Sequence, residues 1–215
     1  MTAQTASAVF IALLTLCVSI STPAQTPDDS APSWSFEIKG GRFYPALKDW
    51  DVYYGKDSMP QFSAALAWKP LRMLDLGMEL AYLHDSGVGD FPLQGGQGGK
   101  VGYTLYPVGA YAVLRGVLRE GQWLVPYLGA GITRIYYEQN IELQDKVRGS
   151  AHGVYYKLGL QLLLDNLDHG AAGSLAAGYG ITNTYLVLEG QRLDAEIAKV
   201  KLGGASYQLG LLFEF

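Results

Sequence analysis

Val154-Tyr155-Tyr156-Lys157-Leu158-Gly159-Leu160-Gln161-Leu162-Leu163-Leu164-Asp165 is the stretch that decides the fold. Val154, Tyr156, Leu158, Leu160, Leu162 and Leu164 fall on one side of an extended chain. Tyr155, Lys157, Gly159, Gln161 and Asp165 fall on the other. Successive strand side chains point to opposite faces, so this period of two predicts a strand with one apolar and one polar face.

The same period recurs along the chain and predicts eight strands. The first sets Trp34, Phe36, Ile38 and Gly40 against Ser35, Glu37, Lys39 and Gly41. The second sets Phe62, Ala64, Leu66 and Trp68 against Gln61, Ser63, Ala65, Ala67 and Lys69. In the third, Leu74, Leu76, Met78, Leu80 and Tyr82 oppose Asp75, Gly77, Glu79 and Ala81. The fourth, Val101 to Leu114, contains Pro107, and its apolar face is assigned to Tyr103, Leu105, Gly109, Tyr111 and Val113. The fifth, Trp123 to Tyr136, places Leu124, Leu128, Ala130 and Ile132 opposite Tyr127, Gly129, Gly131 and Thr133. The sixth is the stretch quoted above. The seventh is expected over Ser174 to Leu188, with Leu175, Ala177, Tyr179, Ile181, Tyr185 and Val187 on its apolar face. The eighth sets Ala205, Tyr207, Leu209, Leu211, Phe213 and Phe215 against Ser206, Gln208, Gly210, Leu212 and Glu214.

Connections alternate in length. Tyr44 to Met59, His84 to Gly99, Tyr137 to His152 and Glu189 to Gly204 are long and polar. Lys69 to Met73 is tight, whereas Arg115 to Gln122 and Asp165 to Gly173 are intermediate. Short turns at one end and long loops at the other are the pattern of an antiparallel up-and-down barrel in an outer membrane. Strands of about nine to eleven residues cross a bilayer at the usual tilt.

Composition agrees. Of 215 residues, 49% are hydrophobic and only 17% charged, below the roughly 25% usual in soluble domains. A net charge of −4 argues against a nucleic-acid partner, which needs a basic face. A single cysteine, Cys17, excludes both a disulfide framework and a Cys-rich zinc site.

Ala8 to Ile20 is an uncharged apolar run too short to span a bilayer as a helix. Thr22 and Ala24 have the small side chains of a signal-peptidase site, so residues 1–24 are expected to be a cleaved signal peptide. Met1 to Phe10 departs from that pattern in carrying no Lys or Arg. Cleavage would remove Cys17 and suit an oxidising compartment. Residues 25–32, Gln-Thr-Pro-Asp-Asp-Ser-Ala-Pro, read as a polar periplasmic linker, and residues 33–215 as the barrel.

A soluble lipocalin-type barrel also alternates, with its apolar face inward. Three features favour the inverted arrangement. Glu37, Lys39, Asp75, Glu79, Lys157 and Glu214 share the polar faces with Gln61, Gln161 and Gln208, where opposite charges can pair inside a narrow barrel. Aromatic residues such as Trp34, Trp68, Tyr82, Trp123 and Tyr207 sit toward strand ends, as in interfacial girdles. The secretory signal places the chain outside the cytoplasm.

Gln208-Leu209-Gly210-Leu211-Leu212-Phe213-Glu214-Phe215 resembles the assembly signal of bacterial outer-membrane barrels. Gln208, Gly210, Phe213 and Phe215 match its polar residue, its glycine two on, and its third-last and last positions. Ser33 to Phe215 as a whole resembles the small eight-stranded outer-membrane barrels of the OmpA, OmpX and OmpW types. Tyr106-Pro107-Val108-Gly109 and Pro126-Tyr127-Leu128-Gly129-Ala130-Gly131 are phrases common in that group. The resemblance implies outer-membrane lipids and the barrel-assembly machinery as partners, with surface partners at the loops. It implies a monomer, and peptidoglycan tethering by a trailing periplasmic domain is not expected.

Candidate chemistry is sparse. His84-Asp85-Ser86 resembles the His-x-Ser pair of an eight-stranded lipid A deacylase family, in which His is the base and Ser the nucleophile. Gly87 stands where that family has Asn, no Glu partner is assignable, and a polar loop entrance is the favoured reading. His152 and His169 are expected at opposite barrel ends, which leaves no three-His metal site. Glu37, Lys39, Glu79, Lys157, Gln161 and Glu214 form a candidate interior network, either gating a narrow pore or neutralising itself. Gly87, Gly89, Gly95, Gly96, Gly98 and Gly99 make the second loop glycine-rich without a phosphate-binding pattern. Asp49, Asp51 and Asp57 could bind Ca²⁺ loosely, although scattered loop acids are usually solvated. The expectation is therefore a non-catalytic outer-membrane barrel without cofactor or metal, serving envelope integrity or surface interaction. A narrow channel for small or hydrophobic solutes is the alternative, and a lipid A-modifying esterase the second alternative.

Overall fold

A computed structural model describes residues 32–46, 50, 56–88, 100–141, 146–197, 200–201 and 203–215. The expected signal peptide and nearly all of the linker lie outside them, as do Asp49, Asp51 and the glycines of 89–99. The described residues fall in one compact unit, Pro32–Phe215. Its strands are β1 (Trp34–Pro45), β2 (Met59–Leu71), β3 (Leu74–Val88), β4 (Lys100–Arg115), β5 (Leu124–Ile141), β6 (Val147–Leu163), β7 (Asn183–Ile197), β8 (Val200–Lys201) and β9 (Gly204–Glu214). A helix, α1 (His169–Tyr179), precedes β7, and the two-residue β8 folds back on the end of β7.

Every barrel strand pairs antiparallel with both neighbours, and the pairings β1–β9 and β7–β9 close the sheet on itself. The result is an all-β, eight-stranded, antiparallel up-and-down barrel built from β1–β7 and β9. Its stagger can be read from the register. The ladder from Trp34 runs through Trp68, Leu76, Ala112, Ala130, Tyr156, Arg192 and Ala205 and returns to β1 at Tyr44, ten residues further on. With about 3.3 Å per residue and about 4.7 Å between strands, that stagger tilts the strands by about 41° and gives a radius of about 8 Å. Such a bore is filled by side chains.

The outer surface is apolar over a band. Ile38, Leu66, Met78, Leu80, Ile132, Leu158, Leu188 and Leu209 are all exposed on it. Trp34, Trp68, Trp123 and Phe215 lie along the end with short turns, and Tyr44, Tyr82, Tyr106 and Tyr136 toward the end with loops. Ten residue steps from Trp34 to Tyr44 at that tilt rise about 25 Å, the height of a lipid-facing band between aromatic girdles.

Above the Tyr girdle the polarity of the faces reverses. Leu83, Leu105 and Ala151 point inward there and are buried. His84, Thr104 and His152 alternate with them on the outside. A barrel standing clear of hydrocarbon is wetted outside and keeps its apolar side chains inside.

Two strand assignments need correction. Tyr103, Leu105, Gly109, Tyr111 and Val113 of β4 face the interior, and Tyr106, Val108, Ala110, Ala112 and Leu114 face out. Both faces of β4 are apolar, so alternation alone carries no phase. The seventh strand begins at Asn183, with Tyr185 and Val187 inside. Leu175, Ala177 and Tyr179 belong to α1, whose Ala content favours helix. Asp168 caps α1 by accepting from the backbone N–H groups of Gly170 and Ala171 at 3.0 and 2.9 Å. Gly180 ends it at φ 71°, the left-handed conformation glycine adopts without strain. The connections expected over Tyr137–His152 and Glu189–Gly204 are largely strand, because their polar outward residues mark water and not a loop.

An arginine in the middle of the outer band tests the inverted arrangement. Leu158→Arg should lose about 2–4 kcal/mol of folding free energy in lipid vesicles, measured by equilibrium refolding. An unchanged value would mean that this face does not meet hydrocarbon.

Candidate functional site

The chemistry of the barrel is concentrated in its interior, where the stagger sorts side chains into levels. At the turn end Glu214 of β9 receives Lys69 of β2 and the Arg115 guanidinium of β4. Asn183 Nδ2 donates to the same carboxylate at 2.8 Å. Arg115 Nε donates to Gln161 Oε1 at 2.8 Å and its guanidinium lies 5.2 Å from the Tyr185 ring centre. Asp75 of β3 completes the level, 3.7 Å from Lys69 and 3.8 Å from Arg115. Two carboxylates meet two cations, and the level is neutral.

The second level lies about one turn of register higher. Lys39 Nζ sits 2.5 Å from Glu37, 2.8 Å from Glu189 and 3.8 Å from Glu79. Lys157 Nζ donates to Glu79 Oε2 at 2.5 Å, lies 3.6 Å from Glu189, and rests 4.2 Å from the Tyr111 ring centre. The Tyr127 hydroxyl donates to Glu189 Oε2 at 2.8 Å. All five ionic groups are buried. Here three carboxylates face two ammoniums.

Close approach of the strands depends on missing side chains, as Gly159 and Gly210 show. A Cβ on Gly159 would fall 2.4 Å from the Tyr127 ring, and one on Gly210 would fall 2.1 Å from the Ile38 carbonyl oxygen. Glycine keeps Tyr127 on Glu189 and lets β9 reach β1.

Above the ionic levels, Ser63 Oγ donates to Gln208 Oε1 at 2.9 Å and Gln208 Nε2 to Gln191 Oε1 at 3.2 Å. An apolar lid of Phe43, Met59, Leu83, Leu105, Ile135 and Leu193 then closes the loop end. Trp50 packs edge-on against Tyr103, with ring centres 5.6 Å apart, in the same cluster. Between the lid and the second level is a cavity of about 30 Å³.

The structure thus brings Glu37, Lys39, Glu79 and Lys157 together and places Gln161 and Glu214 in the separate lower level. Gly210 lies beside Lys39, whereas Phe213 and Phe215 face outward on the last strand. Sequence reasoning missed Arg115 and Glu189, assigning both to connections. Each continues the inward phase of its strand, two residues beyond Val113 and Val187 respectively.

His84 and Ser86 share the outer face of β3. His84 Nδ1 is 2.9 Å from Thr104 Oγ1, and its ring stacks on Tyr82 at 6.4 Å between centres. Asp85 points inward, 3.4 Å from Lys56, so no carboxylate orients the imidazole among the described residues. His152 lies near the loop rim and His169 at the start of α1, at opposite ends of the barrel. Asp57 is exposed. Beyond the Tyr girdle, hydrogen bonds from Lys146 and Arg148 at 3.2 and 2.8 Å hold the Glu138 carboxyl below its ordinary range.

A closed barrel with a charged, ion-paired interior and an apolar outer band between aromatic girdles is a small barrel of the outer-membrane type. No protein-family model matches the chain. No curated protein matches it either. Among solved structures, Neisserial surface protein A superposes with a TM-score of 0.57 at 11% identity, over 87% of this chain and 100% of that one. Ail, the attachment invasion locus protein of Yersinia pestis, gives 0.53 at 13% identity when bound to the heparin analogue sucrose octasulfate, over 86% and 99%. Without that ligand it gives 0.52 at 12%, over the same shares. Both are small eight-stranded outer-membrane barrels, and identity this low shows the shared fold alone.

Removing one buried cation strands its partners. Lys39→Met should cost about 3–5 kcal/mol in urea unfolding from detergent micelles. Adding Glu189→Gln should recover part of that loss, since it removes one uncompensated charge. No recovery would show that Lys39 acts by packing.

Proposed function

We propose that this chain is a non-catalytic integral outer-membrane barrel that serves envelope integrity or surface interaction. The observation that carries the reading is the filled interior. Two ion-paired levels and an apolar lid occupy a bore of about 8 Å radius, and the cavity between them, among the described residues, is about 30 Å³. That is room for a water or two and not for a solute path. Interaction is then left to the outer face, the loop rim and lipid. His84 and Ser86 are wall residues of β3 in this reading, with the imidazole engaged by Thr104.

Export and assembly complete the proposal. Residues 1–24 act as a signal peptide, and residues 25–32 lead into the barrel on the periplasmic side. Gln208, Gly210, Phe213 and Phe215 present the last strand to the barrel-assembly machinery. The strand they mark closes the barrel against β1 from Ser35 to Pro45, so its recognition before closure has a physical purpose. The protein works as a monomer among outer-membrane lipids, without cofactor.

Protein reconstituted in planar bilayers should be silent. Discrete conductance steps that change in Lys157→Ala would instead support the channel reading. Lipid A from cells with and without the protein should carry the same acyl chains by mass spectrometry, and a lost chain would support the esterase. The intact mass of membrane-extracted protein should correspond to a mature chain beginning at Gln25. A mass retaining residues 1–24 would remove the signal-peptide assignment.

A further inference from the structure

The cavity beneath the lid has a floor of unequal charge and walls bearing unused oxygens. Its floor is Glu79 of the second level, where Glu37, Glu79 and Glu189 outnumber Lys39 and Lys157 by one. The level below is neutral and the lid above is apolar, so among the described residues the surplus has no counter-charge along the barrel axis. A lone charge buried in this way is costly unless something of opposite sign accompanies it.

The walls supply the second observation. Gln61 and Tyr155 both line the cavity, at 4% and 2% exposure. Gln61 Oε1 and the Tyr155 hydroxyl make no hydrogen bond among the described residues. Two buried oxygens without a partner, beside a carboxylate in excess, form a donor set for a cation.

We propose that this cavity binds one small monovalent cation, held by Glu79, the Gln61 side-chain oxygen and the Tyr155 hydroxyl. The single surplus charge matches a single positive charge. About 30 Å³ admits one such ion with a water and excludes organic cations. Ca²⁺ or Mg²⁺ would bring two positive charges where one is needed, and Mg²⁺ also demands a near-ideal octahedral shell. The ion neutralises the second level and joins β2, β3 and β6 through one point.

The test is refolding from urea into detergent micelles at equal ionic strength in sodium, potassium or N-methylglucamine chloride. The last cation is too large to enter. At a cation concentration ten times its Kd, the folding equilibrium constant should rise about tenfold in sodium or potassium. Gln61→Leu and Glu79→Gln should lose that preference while keeping the heat-shifted gel mobility of a folded barrel. Crystals grown with Tl⁺ should show an anomalous peak among Glu79, Gln61 and Tyr155, a readout that needs no variant to fold. Equal stability in all three salts with no Tl⁺ peak would overturn the site. So would stability that follows pH and ignores the cation, because a proton on one of the three carboxylates would then carry the compensating charge.

Discussion

Lys39 is held by carboxylates from β1, β3 and β7, and that contact fixes the relation of three strands that are distant in sequence. A buried ammonium is tolerable only when its partners stand at the right height around it. Barrel register sets those heights, and a slip of one residue in any of these strands would turn a partner outward into the apolar band. The ionic levels therefore do more than fill space. They make one stagger, ten residues around the barrel, far better than its neighbours. Closure of β9 on β1, which leaves no unpaired edge for lipid to desolvate, then occurs in that register.

The same constraint explains where the apolar residues go. Over the height of the girdles the outer face meets hydrocarbon, so Leu and Ile point out and the charges they displace pair inside. Above the Tyr girdle the outside is wet, and the alternation continues with opposite sign. β5 shows both regimes in one strand. Leu128 and Ile132 face out below Tyr136, whereas beyond it Tyr137 turns in and Glu138 faces out to Lys146 and Arg148. One strand thus crosses from an inverted barrel into one of ordinary polarity without a break in its ladder.

That crossing decides what was legible in the sequence. Strands β1, β2, β3, β6 and β9 could be read because one face is apolar and the other charged or small over the girdle height. Glu37, Lys39, Glu79, Lys157 and Glu214 stand out on those strands as charges at every second position. β4 was misread because Tyr103, Leu105 and Val113 inside are as apolar as Tyr106, Val108 and Leu114 outside. Only its register with β3 and β5 reveals its phase. β7 was displaced because α1 alternates small and large residues by chance, and Glu189 was then lost to a loop. Arg115 escaped as the last residue of its strand, where the pattern gives one point and no repeat. The pairing of Arg115 with Glu214 spans nearly a hundred positions and becomes visible only with the stagger known.

A filled bore also constrains evolution of activity on this scaffold. Any passage would need the lid and both ionic levels to open together, and removing one ionic partner leaves others unpaired in a low-dielectric core. Change is therefore inexpensive only where side chains contact nothing inside. Those places are the rim above the Tyr girdle, with outward His84, Thr104 and His152, and the loops that leave it. New specificity on such a barrel should arise at the rim, and its interior should change only by coordinated substitution of whole ion pairs. The surplus carboxylate of the second level is the exception, since one added positive charge there relieves strain that the rest of the interior has already resolved.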